Sequence, residues 1–151
     1  TLADRTRLNP DLPIEVLAVA VGPTSGRATL ELTRNLANGH LASASWDHAK
    51  PSVARVEVPT RSLDDLVAET RPTVVKVDIE GAEGEVLTAS AGPAQWPTGP
   101  TFLVEYHGRA NQQRCLAAAE RWGWRTTDVP DPDGLPAGLL TLHPPRQEPG
   151  T

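Results

Sequence analysis

Residues 74–87, VVKVDIEGAEGEVL, constrain the fold of this chain more than any other stretch. The apolar run predicts a strand over residues 73–78, Gly81 permits a sharp turn, and a helix is expected over residues 82–90. A strand that leads directly into a helix is the unit of layered α/β domains with parallel sheets. We therefore predict an α/β fold with this strand central in the sheet, beside residues 14–21 or 102–106.

The other segments agree with an α/β arrangement. Residues 13–22, PIEVLAVAVG, are nearly continuous in apolar character, which is typical of a strand buried on both faces. Residues 100–107 predict another strand, whereas residues 62–72 and 111–122 predict helices, the first of them capped by Ser62. The polar residues 35–52 indicate a loop. The segments on either side of the turn-rich PDPDGLPAG predict a closing antiparallel hairpin.

Length and composition indicate a single domain over residues 1–143, followed by a flexible tail over residues 144–151. The chain has 14 basic and 19 acidic residues and a net charge of −5, which argues against nucleic acid as a partner. Its sequence contains no apolar run long enough to cross a membrane, and Cys115 is the single cysteine. These features predict a cytoplasmic protein.

Charged residues gather at one end of the predicted sheet. Lys76, Asp78 and Glu80 share one face of the strand and approach its carboxyl end. Glu105 and His107 share a face at the end of the next strand. If the two strands are neighbours, about 4.8 Å apart, four side chains form one polar rim where open α/β sheets bind ligands. We call this set the polar rim: Asp78, Glu80, Glu105 and His107.

Several hypotheses remain open for these charges. Lys76 is either a structural ion-pair partner of Asp78 or part of a functional site. Glu83 and Glu85 are most simply explained as acidic residues that favour the beginning of a helix. The polar rim offers carboxylate and imidazole groups for proton transfer, and such groups also bind divalent metal ions, although their spacing matches no dedicated metal motif.

Residues 58–90, VPTRSLDDLVAETRPTVVKVDIEGAEGEVLTAS, resemble the signature region of the FkbM-type methyltransferases, which depend on S-adenosylmethionine. The family pattern joins a Thr/Ser-Leu-Asp-x-Leu segment to a strand that reads K-[IV]-D-[IV]-E-G-A-E. FLVEYHG, residues 102–108, is similar to the family's next strand, and the resemblance covers residues 9–107. It implies a partial class I methyltransferase, Rossmann-like, with a mostly parallel sheet and a C-terminal antiparallel hairpin.

Two features depart from the family pattern. The glycines form no G-x-G loop, and in the family that cofactor-binding part precedes the residues that resemble Asn9. We therefore expect a domain without its N-terminal cofactor-binding strands, which binds S-adenosylmethionine weakly or not at all when alone. Gly84 replaces a larger residue, at a cost of about 1 kcal/mol in helix propensity.

The resemblance implies methyl transfer from S-adenosylmethionine to a hydroxyl of a small molecule or glycan, without identifying the acceptor or the base. The candidate residues are Asp78, Glu80 and His107 for catalysis, Ala20 and Asp78 for the cofactor, and Trp46 and Glu105 for the acceptor. No membrane partner and no resident metal are expected. The competing hypothesis is a catalytically incomplete remnant that binds a partner through an exposed sheet edge, either another copy of itself or a missing N-terminal segment.

Overall fold

The computed structural model of the chain describes residues 8, 10–34, 39–42, 44 and 51–145. The strands in this part are β1 (Ala20–Gly22), β2 (Gly26–Leu32), β3 (His40–Leu41), β4 (Ala54–Ser62), β5 (Val74–Val77), β6 (Thr101–His107), β7 (Arg125–Pro130) and β8 (Ala137–His143). The helices are α1 (Leu63–Thr70), α2 (Glu83–Ala89) and α3 (Arg109–Arg121), with a 3₁₀ turn at Gly92–Ala94. Within the described ranges, none of the helices is long and apolar enough to cross a bilayer.

The described strands form two mixed sheets. The first has the order β1-β4-β2-β3 and the second the order β5-β6-β8-β7. Each contains one parallel pair, β1 with β4 and β5 with β6, and two antiparallel pairs. The prediction of a mostly parallel sheet is therefore wrong for the part described, because only two strand pairs run in the same direction. The closing hairpin, β7 with β8, is confirmed.

Strand β5 holds the signature residues against β6. The two strands are parallel, with Val75 opposite Phe102 and Val77 opposite Val104, as expected. Among the described strands, however, β5 has no second neighbour and lies at an edge, so its predicted central place is wrong. The expected strand over residues 14–21 is short, since only Ala20–Gly22 is extended in a sheet, and it pairs with β4 instead.

The core of the second sheet lies under α2 and α3. Alternate residues of β6, namely Phe102, Val104 and Tyr106, are buried, whereas Glu105 and His107 lie on the other face. Four aromatic rings, including that of Phe102, pack together in this core with centroids 5.2–6.2 Å apart. These rings belong to Trp96, Phe102, Trp122 and Trp124. The alternation thus determines which β6 side chains face the core and which lie on the opposite face with Glu105 and His107.

Ser62 and Asp64, in the first half of the signature region, determine how α1 begins and packs. Ser62 caps the helix by accepting a hydrogen bond from the Asp65 amide at 3.1 Å, as the sequence predicted. The carboxylate of Asp64 accepts hydrogen bonds from Ser90 Oγ at 2.5 Å, Trp96 Nε1 at 2.7 Å and the Ala91 amide at 2.9 Å. Asp64 therefore ties α1 to the end of α2 and to the aromatic cluster.

Gly84 lets α2 and α3 approach each other closely. A Cβ at this position would lie 2.5 Å from Asn111 Oδ1 and 2.9 Å from the Asn111 carbonyl oxygen. The Gly84 amide also donates a hydrogen bond to Asn111 Oδ1 at 2.5 Å. The glycine that looks costly for helix propensity is therefore required by the contact between the two helices.

Gly84→Ala should lower the free energy of unfolding by about 1–3 kcal/mol, because overpacking against the α3 backbone outweighs the gain in helix propensity. Urea denaturation measures this change. Ala89→Gly is the matched control, since Ala89 is exposed near the end of the same helix and should lose only about 1 kcal/mol. A Gly84→Ala protein as stable as the parent would contradict the close approach.

Candidate active site

The turn between β5 and α2 has an unusual backbone. Glu80 has φ +54° and Gly81 has φ +96°, so both lie in the left-handed region. A glycine adopts this conformation at little cost, but a glutamate there costs on the order of 1–3 kcal/mol. Other interactions must hold Glu80 in place, and these lie directly after the turn.

The carboxylate of Glu83 holds this turn. Glu83 is completely buried at the beginning of α2, and its Oε1 accepts hydrogen bonds from the amides of Ile79 at 3.0 Å and Gly81 at 3.1 Å. Its Oε2 accepts from the Gly81 amide at 3.1 Å and from Asn111 Nδ2 on α3. Glu83 therefore connects the turn, α2 and α3, and its interpretation as an ordinary helix-terminal charge is wrong.

Glu83 also contacts His107 at the end of β6, with 3.3 Å between Oε1 and the imidazole Nδ1. The pKa of His107 is raised, chiefly by this hydrogen bond; partial burial opposes the shift, and the nearby carboxylates support it. Burial is the largest influence on Glu83 and disfavours its ionised form. The hydrogen bonds from His107 and from backbone amides nevertheless bring the pKa of Glu83 below its ordinary value.

The structure brings the polar rim together. Oxygen atoms of Asp78 and Glu105 and a ring nitrogen of His107 lie within 4.8 Å of one another. Glu80 is half-buried nearby, and the pKa of its carboxyl is raised, mainly because burial disfavours the charge and in spite of the attraction of His107. The rim therefore combines an exposed carboxylate, a partly desolvated one and an imidazole.

Lys76 supplies a cation to this rim. Its Nζ lies 2.6 Å from Asp78 Oδ2 and 3.5 Å from Glu105 Oε2. The hydrogen bond to Asp78 is the main reason that the pKa of Lys76 is raised. The predicted ion pair thus forms, although the lysine side chain is 58% exposed and such pairs add little stability. Because an ammonium group already lies between the carboxylates, we assign no metal site here.

The other predicted site residues lie elsewhere. Ala20 lines an apolar groove with residues 16–19, Leu30 and Val58. Its neighbour Val21 belongs instead to a groove of about 270 Å³ between α1 and β5, whose wall includes Lys76 and Val77. Trp46, the expected acceptor contact, lies outside the described residues.

A larger groove, which the sequence did not predict, follows the end of β6. It has a volume of about 600 Å³ and is bounded by the beginning of α3 and by the loop between β7 and β8. In its wall, Gln112 Nε2 donates to Tyr106 Oη at 3.2 Å and to Asp128 Oδ2 at 2.6 Å. Gly108 directly follows His107, and its amide donates a hydrogen bond to the Pro136 carbonyl in the same loop. The groove therefore begins next to His107, a residue of the polar rim.

Comparison with known families identifies the family of the chain. The model of the methyltransferase FkbM domain matches residues 4–132. The chain belongs to this family. The resemblance noted in the signature region is thereby confirmed, and the matched range includes the turn, Glu83, His107 and α3. No curated protein and no solved structure matches the chain.

Sequence reasoning missed the burial of Glu83 in this FkbM domain. An acidic residue in the first turn of a helix looks the same whether it is solvated or buried. One local signal does exist, since a glutamate just after a turn can reach back to accept from preceding amides, as in a capping box. The contact that buries it comes from Asn111, 28 residues further along the chain, and no local pattern contains that information.

The Glu83–His107 pair predicts how the stability of the FkbM domain depends on pH. The raised pKa of His107 means that its contribution is complete below about 6.5, the ordinary value, and is lost as the pH rises through the raised value. The lowered pKa of Glu83 means that its contribution is complete above about 4.5 and is lost as the pH falls through the lowered value.

The free energy of unfolding should therefore differ most between the parent and His107→Gln at pH 4.5–6.5, by about 1–2 kcal/mol. The difference should shrink on both sides of this window. Urea denaturation at a series of pH values gives the two curves. A difference that stays constant from pH 4.5 to pH 9 would contradict a charged pair.

Proposed function

We propose that this FkbM domain transfers a methyl group from S-adenosylmethionine to a hydroxyl group of a small molecule or glycan. The observation that carries the proposal is the polar rim, in which carboxylates and an imidazole meet at the carboxyl ends of two adjacent parallel strands. The domain belongs to a methyltransferase family, which supports methyl transfer as the reaction class. Bound S-adenosylmethionine would supply an electrophilic methyl group on a sulfonium.

The rim can supply the two functions that O-methylation requires of the protein. The acceptor hydroxyl must be held in line with the methyl group, and its proton must have a base to receive it. Asp78, fixed by Lys76 at 2.6 Å, is suited to orient a ligand. Glu80 and His107, both partly desolvated and with raised pKa values, are suited to proton exchange.

The charge of the site favours a cationic methyl donor. The described residues place four carboxylates, those of the rim and Glu83, around one lysine and one imidazole. Such a site attracts a sulfonium and an ammonium group. The apolar groove between α1 and β5 would accept a flat base, but its 270 Å³ falls below the roughly 300–1,000 Å³ of typical ligand pockets. The carboxylates therefore suit the positive charges of the donor, and the apolar groove suits part of its shape.

The acceptor is proposed to approach from the β6 side. Glu105 is 46% exposed and can accept hydrogen bonds from a polyhydroxyl compound. The neighbouring groove of about 600 Å³ combines amide, phenol and guanidinium groups with proline and leucine surfaces. This mixture suits a small molecule or sugar that carries both hydroxyl groups and apolar faces. Trp46 remains a proposed contact of the acceptor.

Asp78→Asn and Glu80→Gln should each reduce methyl transfer about 100-fold or more, because each removes a charged group from the rim. Formation of S-adenosylhomocysteine with a panel of sugars and small alcohols measures the rate. Glu85→Gln is the matched control, since Glu85 lies on α2 and is not part of the rim. A larger loss in Glu85→Gln than in both rim variants, or transfer to amines instead of hydroxyls, would contradict the proposal.

A further inference from the structure

We propose that Glu83 is a positioning residue that holds His107 in the orientation and tautomer in which the imidazole takes the proton of the acceptor hydroxyl. This inference rests on the proposed O-methyl transfer and assigns the base within it. It concerns a carboxylate that is itself completely buried.

The carboxylate of Glu83 is fixed by hydrogen-bond donors to both of its oxygens. A buried carboxylate is retained only when donors replace its lost hydration. Glu83 receives such donors from Ile79, Gly81 and Asn111, which belong to the turn and to α3. The carboxylate cannot move away from His107 without leaving the Ile79 and Gly81 amides at Oε1, or Asn111 at Oε2, unpaired, so the ring that contacts it is held as well.

The contact with Glu83 distinguishes the two nitrogens of the His107 ring. His107 presents Nδ1 to Glu83, at 3.3 Å. A carboxylate accepts a hydrogen bond, so Nδ1 carries the proton and the neutral ring keeps the lone pair on Nε2. A buried carboxylate that fixes the tautomer of a histidine and stabilises its protonated form is a general way to make an efficient base.

In the proposed step, each bond that forms is matched by a bond that breaks. The acceptor oxygen forms a bond to the methyl carbon as the bond between that carbon and the sulfonium sulfur breaks. The hydroxyl proton moves to Nε2 of His107, and the positive charge on the imidazolium is compensated by Glu83. The proton later leaves to solvent, which restores the neutral ring.

The other charged groups near His107 favour the same assignment. Asp78 and Glu80 lie after β5, Glu105 lies on β6 itself, and Lys76 projects from β5. The carboxylate of Asp78 is already engaged by Lys76, whose Nζ lies 2.6 Å from its Oδ2. The negative charges of Glu83, Glu80 and Asp78 favour the protonated form of His107 and so stabilise an imidazolium in the product state.

Nitrogen NMR of His107 in the intact protein tests this proposal without donor or acceptor. Above its pKa, the wild-type ring should carry its proton on Nδ1. In Glu83→Gln, whose amide can donate to Nδ1, the proton should move to Nε2 and the pKa of His107 should fall toward 6.5. Glu85→Gln should leave both observables unchanged.

Kinetics give the second readout. Glu83→Gln should lower kcat about 10–100-fold with little change in KM, as expected when a supporting group is lost. The acidic limb of the pH–rate profile should move to lower pH together with the pKa of His107. A limb that stays in place would overturn the assignment and point to Glu80 as the base.

The two proposals can fail separately. A wild-type ring protonated on Nε2, or a His107 pKa that does not change in Glu83→Gln, would overturn the positioning role whatever reaction the protein performs. If Glu83→Gln does not fold, the wild-type tautomer alone decides. A wild-type protein with the expected tautomer that methylates only amines would leave the pair intact and contradict the O-methyl transfer.

Discussion

The burial of one carboxylate, that of Glu83, determines much of the local structure around the site. A charge without water requires hydrogen-bond donors, and here the donors are two amides of a turn, an asparagine on α3 and an imidazole at the end of β6. Each donor must therefore keep its position relative to α2. Removal of any one of them would leave the charge partly unsatisfied, which costs more than an ordinary hydrogen bond contributes.

The same interaction explains how the FkbM signature brings charged side chains together at one end of β5 and β6. The hydrogen bonds to Glu83 keep Glu80 in a left-handed conformation that it would not adopt alone. Asp78 and Glu80 then lie beside Glu105 and His107, and Lys76 reduces the repulsion among the carboxylates. Asp64 in the first half of the signature has a different task, since it joins α1 to the end of α2 and to Trp96.

Local signals in the sequence predicted the elements but not their arrangement. The glycine turn after β5, the Ser62 cap and the β7–β8 hairpin depend on residues within a few positions of one another, and all three are present. Whether neighbouring strands are parallel depends on how the chain connects them, which periodicity does not encode. The prediction of a mostly parallel sheet is therefore wrong for the described strands. The role of Gly84 and the burial of Glu83 both depend on Asn111, far away in the sequence.

Hydrogen exchange at the amides of Ile79 and Gly81 tests the central claim most directly. Both lie in the turn outside any helix or strand, and their protection depends on the Glu83 carboxylate. If Glu83 holds the turn, these amides should exchange at least about 10³-fold more slowly than in an unstructured peptide, and should lose that protection in Glu83→Gln. Exchange at the rate of an unstructured peptide in the wild-type protein would contradict the account.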